Sequence, residues 1–279
     1  VGKVDLHVHS SVSDGVLSPV RVIEKAAELG LSAIALTDHD NVDGIAPAKE
    51  TAARYPNLRF IPGIEISTDI KGGEIHMLGY FIDHTDDEFR TTLERMIESR
   101  VTRAKKMIDR LRNLNIIIEW ERVRELAGPG SVGRPHIAQA LLEKGYITDI
   151  QEAFTRFLAF NGPAYVHRDK MTPAEAIRLI KKAGGIPVFA HPLSKGNRNP
   201  EKLTDEFVKA GLAGIEAYYK DYGPEEREKL VRLAAHYGLI TTGGSDYHGL
   251  DDKAEVMMGE ANVPQEVVDS LFKLAGTVM

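Results

Sequence analysis

Strand-like apolar runs that stop at a histidine or a carboxylate are the strongest constraint on this fold. The first is Val4–His9, which reads Val-Asp-Leu-His-Val-His. Residues two apart on a strand face the same way. His7 and His9 therefore aim both imidazoles at one point, as a divalent metal requires. Further runs end at Thr37-Asp38-His39-Asp40, Gly63-Ile64-Glu65-Ile66-Ser67, His76, His191-Pro192 and Gly244-Ser245-Asp246-Tyr247-His248. Ionisable groups are costly in a core unless they are paired or bind metal. This set at strand ends suits a multi-metal site better than it suits packing.

Helical signals alternate with the strand runs. Ser18-Pro19 supplies an N-cap and a first-turn proline for a helix running to about Leu29, with Gly30 as its stop. Ala33–Thr37, Arg59–Ser67 and Glu74–Phe81 read as strands, the last two joined by the turn-like Lys71-Gly72-Gly73. From about Asp86 to Asn113 the texture becomes charged and helically periodic, with Leu93, Ile97, Val101, Ala104, Ile108 and Leu111 on one stripe. More helix is expected at Glu119–Ala127, Pro135–Lys144 and Ile150–Phe160. The α/β rhythm resumes with a capping box at Thr172-Pro173-Ala174-Glu175. Strands follow at Ile186–Ala190, Gly214–Tyr218 and Leu239–Gly243. The pattern predicts a discontinuous barrel domain, 1–85 and 166–279, interrupted by a helical insertion, 86–165. Repeated βα units imply a parallel sheet, with the ionisable motifs at strand C-terminal ends where β/α barrels place their chemistry. A dinucleotide-binding sheet would need a Gly-x-Gly-x-x-Gly turn after the first strand, and none is present.

The 279 residues are 43% hydrophobic, enough for a barrel-sized core. With no cysteine, disulfides are excluded and any metal must be held by His, Asp and Glu, a set suited to Mn, Zn or Fe. The formal charge of -6 gives no general attraction for a polyanion, so a phosphorylated substrate must be held by metals and a local basic patch. Neither a membrane nor duplex DNA is an expected partner. No apolar stretch approaches the ~20 residues of a membrane span, no signal peptide is visible at Val1, and a cytoplasmic enzyme is expected.

These motifs, in this order, resemble the polymerase and histidinol phosphatase (PHP) family of metal-dependent phosphoesterases, and the resemblance covers nearly the whole chain. It implies a distorted seven-stranded β/α (TIM-like) barrel holding two or three divalent ions. Carried over by position, it implies that His7, His9, Glu65 and Asp246 hold one metal. Glu65, His76 and His191 would hold a second, with Glu65 bridging. Asp14, His39 and His248 would hold a third. Asp14 stands where many relatives carry His, and an oxygen ligand there shifts preference toward Mn or Fe. The insertion motif Gly130-Ser131-Val132-Gly133-Arg134-Pro135-His136 resembles members that act on nucleoside 3′,5′-bisphosphates and on short RNA 5′ ends.

The implied function is hydrolysis of a phosphate monoester on a small nucleotide, foremost the 3′-phosphate of a nucleoside 3′,5′-bisphosphate. A metal-bridging hydroxide would attack phosphorus in line and displace the ribose 3′-oxygen, with inorganic phosphate as a product. Asp246, Glu65 and Asp40 are the catalytic candidates. Asp246 would ligate a metal and could also accept the nucleophile's proton, while Asp38 and Asp40 would orient a ligand histidine or cap the next helix. Arg134 and His136, at a helix start in the insertion, are the first substrate-binding candidates, with Ser131 beside them; Lys195 and Arg198 follow His191. Arg134 could instead tie the insertion to the barrel, and Lys195 and Arg198 could be ordinary solvated charges. Tyr218, Tyr219 and Tyr247 could stack on a base or pack. His84, His167 and His236 read as surface or packing residues, and Met257-Met258 as strand or core filler. The alternatives are 5′→3′ trimming of short RNA, histidinol phosphate hydrolysis, carbon–nitrogen hydrolysis as in amidohydrolases, and a binding module without activity. The second-last usually bridges its metals with a carboxylated lysine, for which no strand-end Lys is available.

Overall fold

The computed structural model describes residues 2–70, 73–128, 132–167, 171–194, 199–250 and 255–278. They form two compact units, one of residues 1–91 and 171–279 and one of residues 92–170. Lys71, Gly72, Ser131, Lys195 and Arg198 lie outside the described residues.

The first unit is a nearly closed seven-strand barrel. Its strands are β1 (Lys3–Val8), β2 (Leu31–Leu36), β3 (Arg59–Ile70), β4 (Gly73–Tyr80), β5 (Ile186–Phe189), β6 (Gly214–Tyr219) and β7 (Ile240–Gly244), neighbours in that order. At the seam, Val8 pairs with Tyr247 in an isolated parallel bridge and His9 N donates to Tyr247 O at 2.9 Å. The strands approach very closely there. A Cβ on Gly244 would lie 2.4 Å from His7 N, so only glycine fits.

Helices α1 (Pro19–Glu28) and α2 (Ile45–Ala52) follow β1 and β2, and α7 (Pro173–Lys182), α8 (Pro200–Ala210) and α9 (Pro224–Tyr237) precede β5, β6 and β7. Helix α10 (Gln265–Val278) ends the chain's described part. The expected caps are present. Ser18 accepts from Arg21 N, and Thr172 and Glu175 form a reciprocal capping box. Inside the barrel Leu6, Ala33, Ala35, Ile61, Leu78 and Val188 pack into one buried cluster, with Val268 and Leu271 of α10 against it.

The sheet is not parallel throughout, contrary to the expectation from repeated βα units. β4 runs antiparallel to both β3 and β5. The reason is the short link between β3 and β4, which permits a hairpin and cannot supply the crossover that parallel neighbours need. Met258 is buried core but lies in a loop, and Met257 is exposed.

Helix α3 (Asp87–Asn113) carries the chain from the first unit into the second, which contains α4 (Trp120–Ala127), α5 (Arg134–Glu143) and α6 (Ile150–Ala153). A single π-helical turn, Phe154–Leu158, continues α6. Met107, Leu111, Val123, Ile137, Leu141 and Leu158 form this unit's own buried core. No helix among the described residues is long and apolar enough to cross a membrane.

Candidate metal centre

The strand-end residues converge on Glu65, midway along β3 and almost fully buried. Glu65 Oε2 lies 3.1 Å from His39 Nδ1, 3.2 Å from His7 Nε2 and 3.3 Å from His9 Nε2. Glu65 Oε1 lies 2.8 Å from His76 Nδ1 and 3.0 Å from His191 Nε2. One carboxylate thus meets imidazoles carried by β1, by β4 and by the segments after β1, β2 and β5. Asp246, just beyond β7, brings Oδ1 to 3.1 Å from His9 Nε2 and 3.5 Å from His7 Nε2. Asp14, in the loop after β1, is 3.4 Å from His248 Nε2 and 3.8 Å from His39 Nε2. The period-two reading of His7 and His9 accounts for their convergence.

Among the described residues, three sets of potential ligand atoms each lie within 4.8 Å of one another: His7, His9, Glu65 and Asp246; His9, Asp14, His39 and His248; and His39, Glu65 and His76. The first matches the expected grouping. The second adds His9 to the expected one. In the third His39 takes the place expected of His191, although His191 reaches the same Glu65 oxygen as His76.

The donor set fits divalent cations. His7 Nε2, His9 Nδ1 and Nε2, Asp14 Oδ1, His39 Nδ1 and Glu65 Oε2 are buried atoms with no hydrogen-bond partner, despite their short separations. Buried polar atoms left unpaired cost about 1–3 kcal/mol each. So many, all facing one another, make sense when a cation satisfies them together.

The electrostatics agree. Burial alone lowers an imidazole's proton affinity, yet Glu216, Glu65 and Asp246 outweigh it at His7 and raise that group well above its ordinary range. Against the same burial cost, Asp246, Glu65 and Asp14 push His9 up to about 10, and Glu65 and Glu74 push His76 up to about 9. At His39 burial wins, helped by His9 and His76, and the group falls to about 4. Burial would raise Asp14, Glu65 and Asp246, but the facing imidazoles hold all three well below the usual carboxylate range. A field that draws protons to these rings draws divalent cations too, and the two compete for the same lone pairs.

Other residues hold the cluster in place. Asp40 Oδ1 accepts from Ser67 N at 2.8 Å and Asp40 N donates to Glu65 O at 2.9 Å, so Asp40 fixes the strand that carries Glu65. Asp40 belongs to none of the three ligand sets. Asp38 neither caps α2 nor meets a ligand imidazole in hydrogen-bond contact. It accepts from Ser10 N, Ser10 Oγ and Ser13 Oγ, which shapes the loop leading to Asp14. Sequence reasoning missed Asp5, Glu216 and Lys220. Buried Asp5 accepts from His7 N, Ser245 N, Ser245 Oγ and Gly259 N, joining β1 to the Asp246 loop. Glu216 Oε1 lies 2.9 Å from His7 Nδ1. Lys220 Nζ and the Tyr219 hydroxyl both donate to Asp246 Oδ2, at 3.1 and 2.8 Å, so Tyr219 orients a carboxylate. Tyr247 is core, with Lys25 over its ring. An acidic residue inside an apolar strand, the signal that singled out Glu65, would also have found Asp5 and Glu216.

In the second unit, Arg134 begins α5 and its guanidinium lies over the Phe154 ring. His136 Nδ1 accepts from Gly133 N at 3.0 Å, closing the helix start. Ser131, Lys195 and Arg198, the remaining substrate-binding candidates, fall outside the described residues.

The PHP domain family matches residues 5–166, more than half of the chain. The protein belongs to the PHP family. A 5′-3′ exoribonuclease of Haemophilus influenzae is 35% identical over 248 residues, covering 88% of this chain and 90% of that protein. A 3′,5′-nucleoside bisphosphate phosphatase of Chromobacterium violaceum is 32% identical over 251 residues, 89% of this chain and 88% of that one. A provisionally assigned metal-dependent phosphoesterase of Bifidobacterium adolescentis has a solved structure with TM-score 0.86 and 29% identity, spanning 97% of this chain and 95% of its own. The barrel, the ion-seeking cluster and PHP membership define the enzyme class as metal-dependent hydrolysis of phosphoester bonds.

Proposed function

We propose that this PHP protein removes the 3′-phosphate from nucleoside 3′,5′-bisphosphates, using two or three divalent ions of Mn, Zn or Fe. The observation that supports this most is Glu65, a buried carboxylate facing five imidazoles. When bound, the ions supply an acidified water and neutralise phosphoryl oxygens that would otherwise repel it. Around them, His7, His9, Asp14, His39, Glu65, His76, His191, Asp246 and His248 act as the holding groups. Asp246 presents Oδ1 to the cluster while Oδ2 is occupied by Tyr219 and Lys220, which keeps it ionised and oriented. Asp40 keeps Glu65 in register.

Arg134 and His136 are proposed to grip the phosphate that does not react, with Ser131, Lys195 and Arg198 as further contacts. A bisphosphate carries a second anion to grip, which a simple arylphosphate lacks. The second reading, 5′→3′ trimming of short RNA, is favoured by the similarity to the Haemophilus enzyme. Inorganic phosphate from adenosine 3′,5′-bisphosphate supports the first reading, and mononucleotides from a short oligoribonucleotide the second. Losing a charge-assisted hydrogen bond costs about 1.5–3 kcal/mol. Arg134→Ala should therefore lower kcat/KM for the bisphosphate about tenfold or more and leave arylphosphate turnover nearly unchanged. Equal losses would assign Arg134 a structural role.

A further inference from the structure

Glu216 belongs to none of the potential ligand sets, yet it is completely buried and both of its oxygens are engaged. Oε1 lies 2.9 Å from His7 Nδ1, and Oε2 accepts from the backbone N–H of His191 at 2.8 Å. We propose that Glu216 is a positioning residue that sets the donor atom of His7 and the backbone of His191 with one carboxylate. The inference rests on the reading of His7 as a metal-holding residue.

A carboxylate beside Nδ1 selects the ring form that carries a hydrogen there. In the neutral imidazole the lone pair is then on Nε2. That atom faces Glu65 Oε2 at 3.2 Å and Asp246 Oδ1 at 3.5 Å without a hydrogen bond. With its lone pair aimed at the same point as these two oxygens, Nε2 can join them in holding one cation. Carboxylates that hold the far nitrogen of a ligand histidine commonly change metal affinity about 10- to 100-fold.

The second oxygen acts on the backbone. His191 has φ 29°, in the left-handed region where non-glycine residues are uncommon. Its N–H donates to Glu216 rather than to a neighbouring strand, which fixes the turn that brings Nε2 to Glu65. Glutamine cannot reproduce both contacts. It offers one acceptor oxygen, and its amide nitrogen would meet either the His7 Nδ1–H or the His191 N–H as donor against donor.

The test compares wild type and Glu216→Gln by zinc titration against a chromophoric chelator, with folding checked by circular dichroism. The histidines are also 15N-labelled, and zinc-loaded wild type is recorded in long-range 1H–15N correlation spectra. His7 is assigned by the loss of its signals in His7→Asn. The expected result is about 10- to 100-fold weaker zinc binding in the folded variant, and a wild-type His7 carrying its hydrogen on Nδ1. A folded variant that binds zinc as wild type does would overturn the proposal. So would a wild-type His7 with its hydrogen on Nε2, a result that stands even when the variant does not fold. Wild type that binds no zinc, manganese or iron would instead overturn the metal-holding reading beneath it.

Discussion

Asp40, His191 and Asp246 all take left-handed backbone conformations, with φ of 51°, 29° and 49°. Such positions cost of order 1–3 kcal/mol each and persist where the surroundings over-determine them. Here the restraints are identifiable: Asp40 N to Glu65 O, His191 N to Glu216, and the Tyr219 and Lys220 donors on Asp246. Asn tolerates this conformation as Asp does, so Asp246→Asn isolates the charge from the backbone. The variant should fold normally and lose at least about 100-fold in kcat/KM, roughly 2.7 kcal/mol of transition-state stabilisation, when assayed with an arylphosphate and saturating manganese. Undiminished turnover would remove Asp246 from the site. His7 and His9 were legible because strand periodicity dictates where both rings point. Glu216 was legible as an acidic residue inside an apolar strand, but its role was not, because it depends on a contact with His7, 209 residues away in the chain. The left-handed turns have no sequence signal beyond Asp at two of the three positions.

At the level of elements, the caps carried most of the readable information. Ser18-Pro19 and Thr172-Pro173 mark helix starts because their side chains satisfy backbone N–H groups that the first turn leaves free. The box at Thr172 is reciprocal: Thr172 N and Oγ1 both donate to Glu175 Oε2, and Glu175 N donates to Thr172 Oγ1. Thr172→Ala should destabilise the protein by about 1 kcal/mol and leave activity unchanged, because α7 supplies no residue to the cluster. Chemical denaturation checks the first part and steady-state turnover the second. Strand direction was legible at the β3–β4 link, where Lys71-Gly72-Gly73 is too short for a crossover. The repeated βα units around it gave no sign that β5 also runs against β4. A helix was expected after Asp40, but the start of α2 was not legible, because its N-cap, Gly44, makes no side-chain capping bond. The unit of residues 92–170 has a hydrophobic core of its own, to which the stripe contributes Ala104, Ile108 and Leu111.

For the whole molecule, the cluster ties stability to both protons and metal. His9, pushed up to about 10, and His76, pushed up to about 9, hold protons in the folded state that the unfolded chain releases near its ordinary pKa of about 6.5. His7 and His248 are raised in the same direction. A raised histidine stabilises fully below the unfolded pKa and loses that contribution as pH climbs through the folded one. The depressed carboxylates Asp14, Glu65 and Asp246 are ionised in both states above about pH 6, so they add no slope there. His39, lowered to about 4, acts only below the unfolded pKa. Bound metal reverses the trend, because it displaces these protons and stabilises the folded state by mass action. The decisive measurement is thermal unfolding of chelator-treated and zinc-loaded protein between about pH 6 and pH 9.5, the interval in which these histidines titrate. Chelator-treated protein should lose Tm steadily as pH rises, while the loaded protein holds its Tm and the gap widens. Superimposed curves across the whole interval would contradict the claim that this buried cluster is built to hold cations.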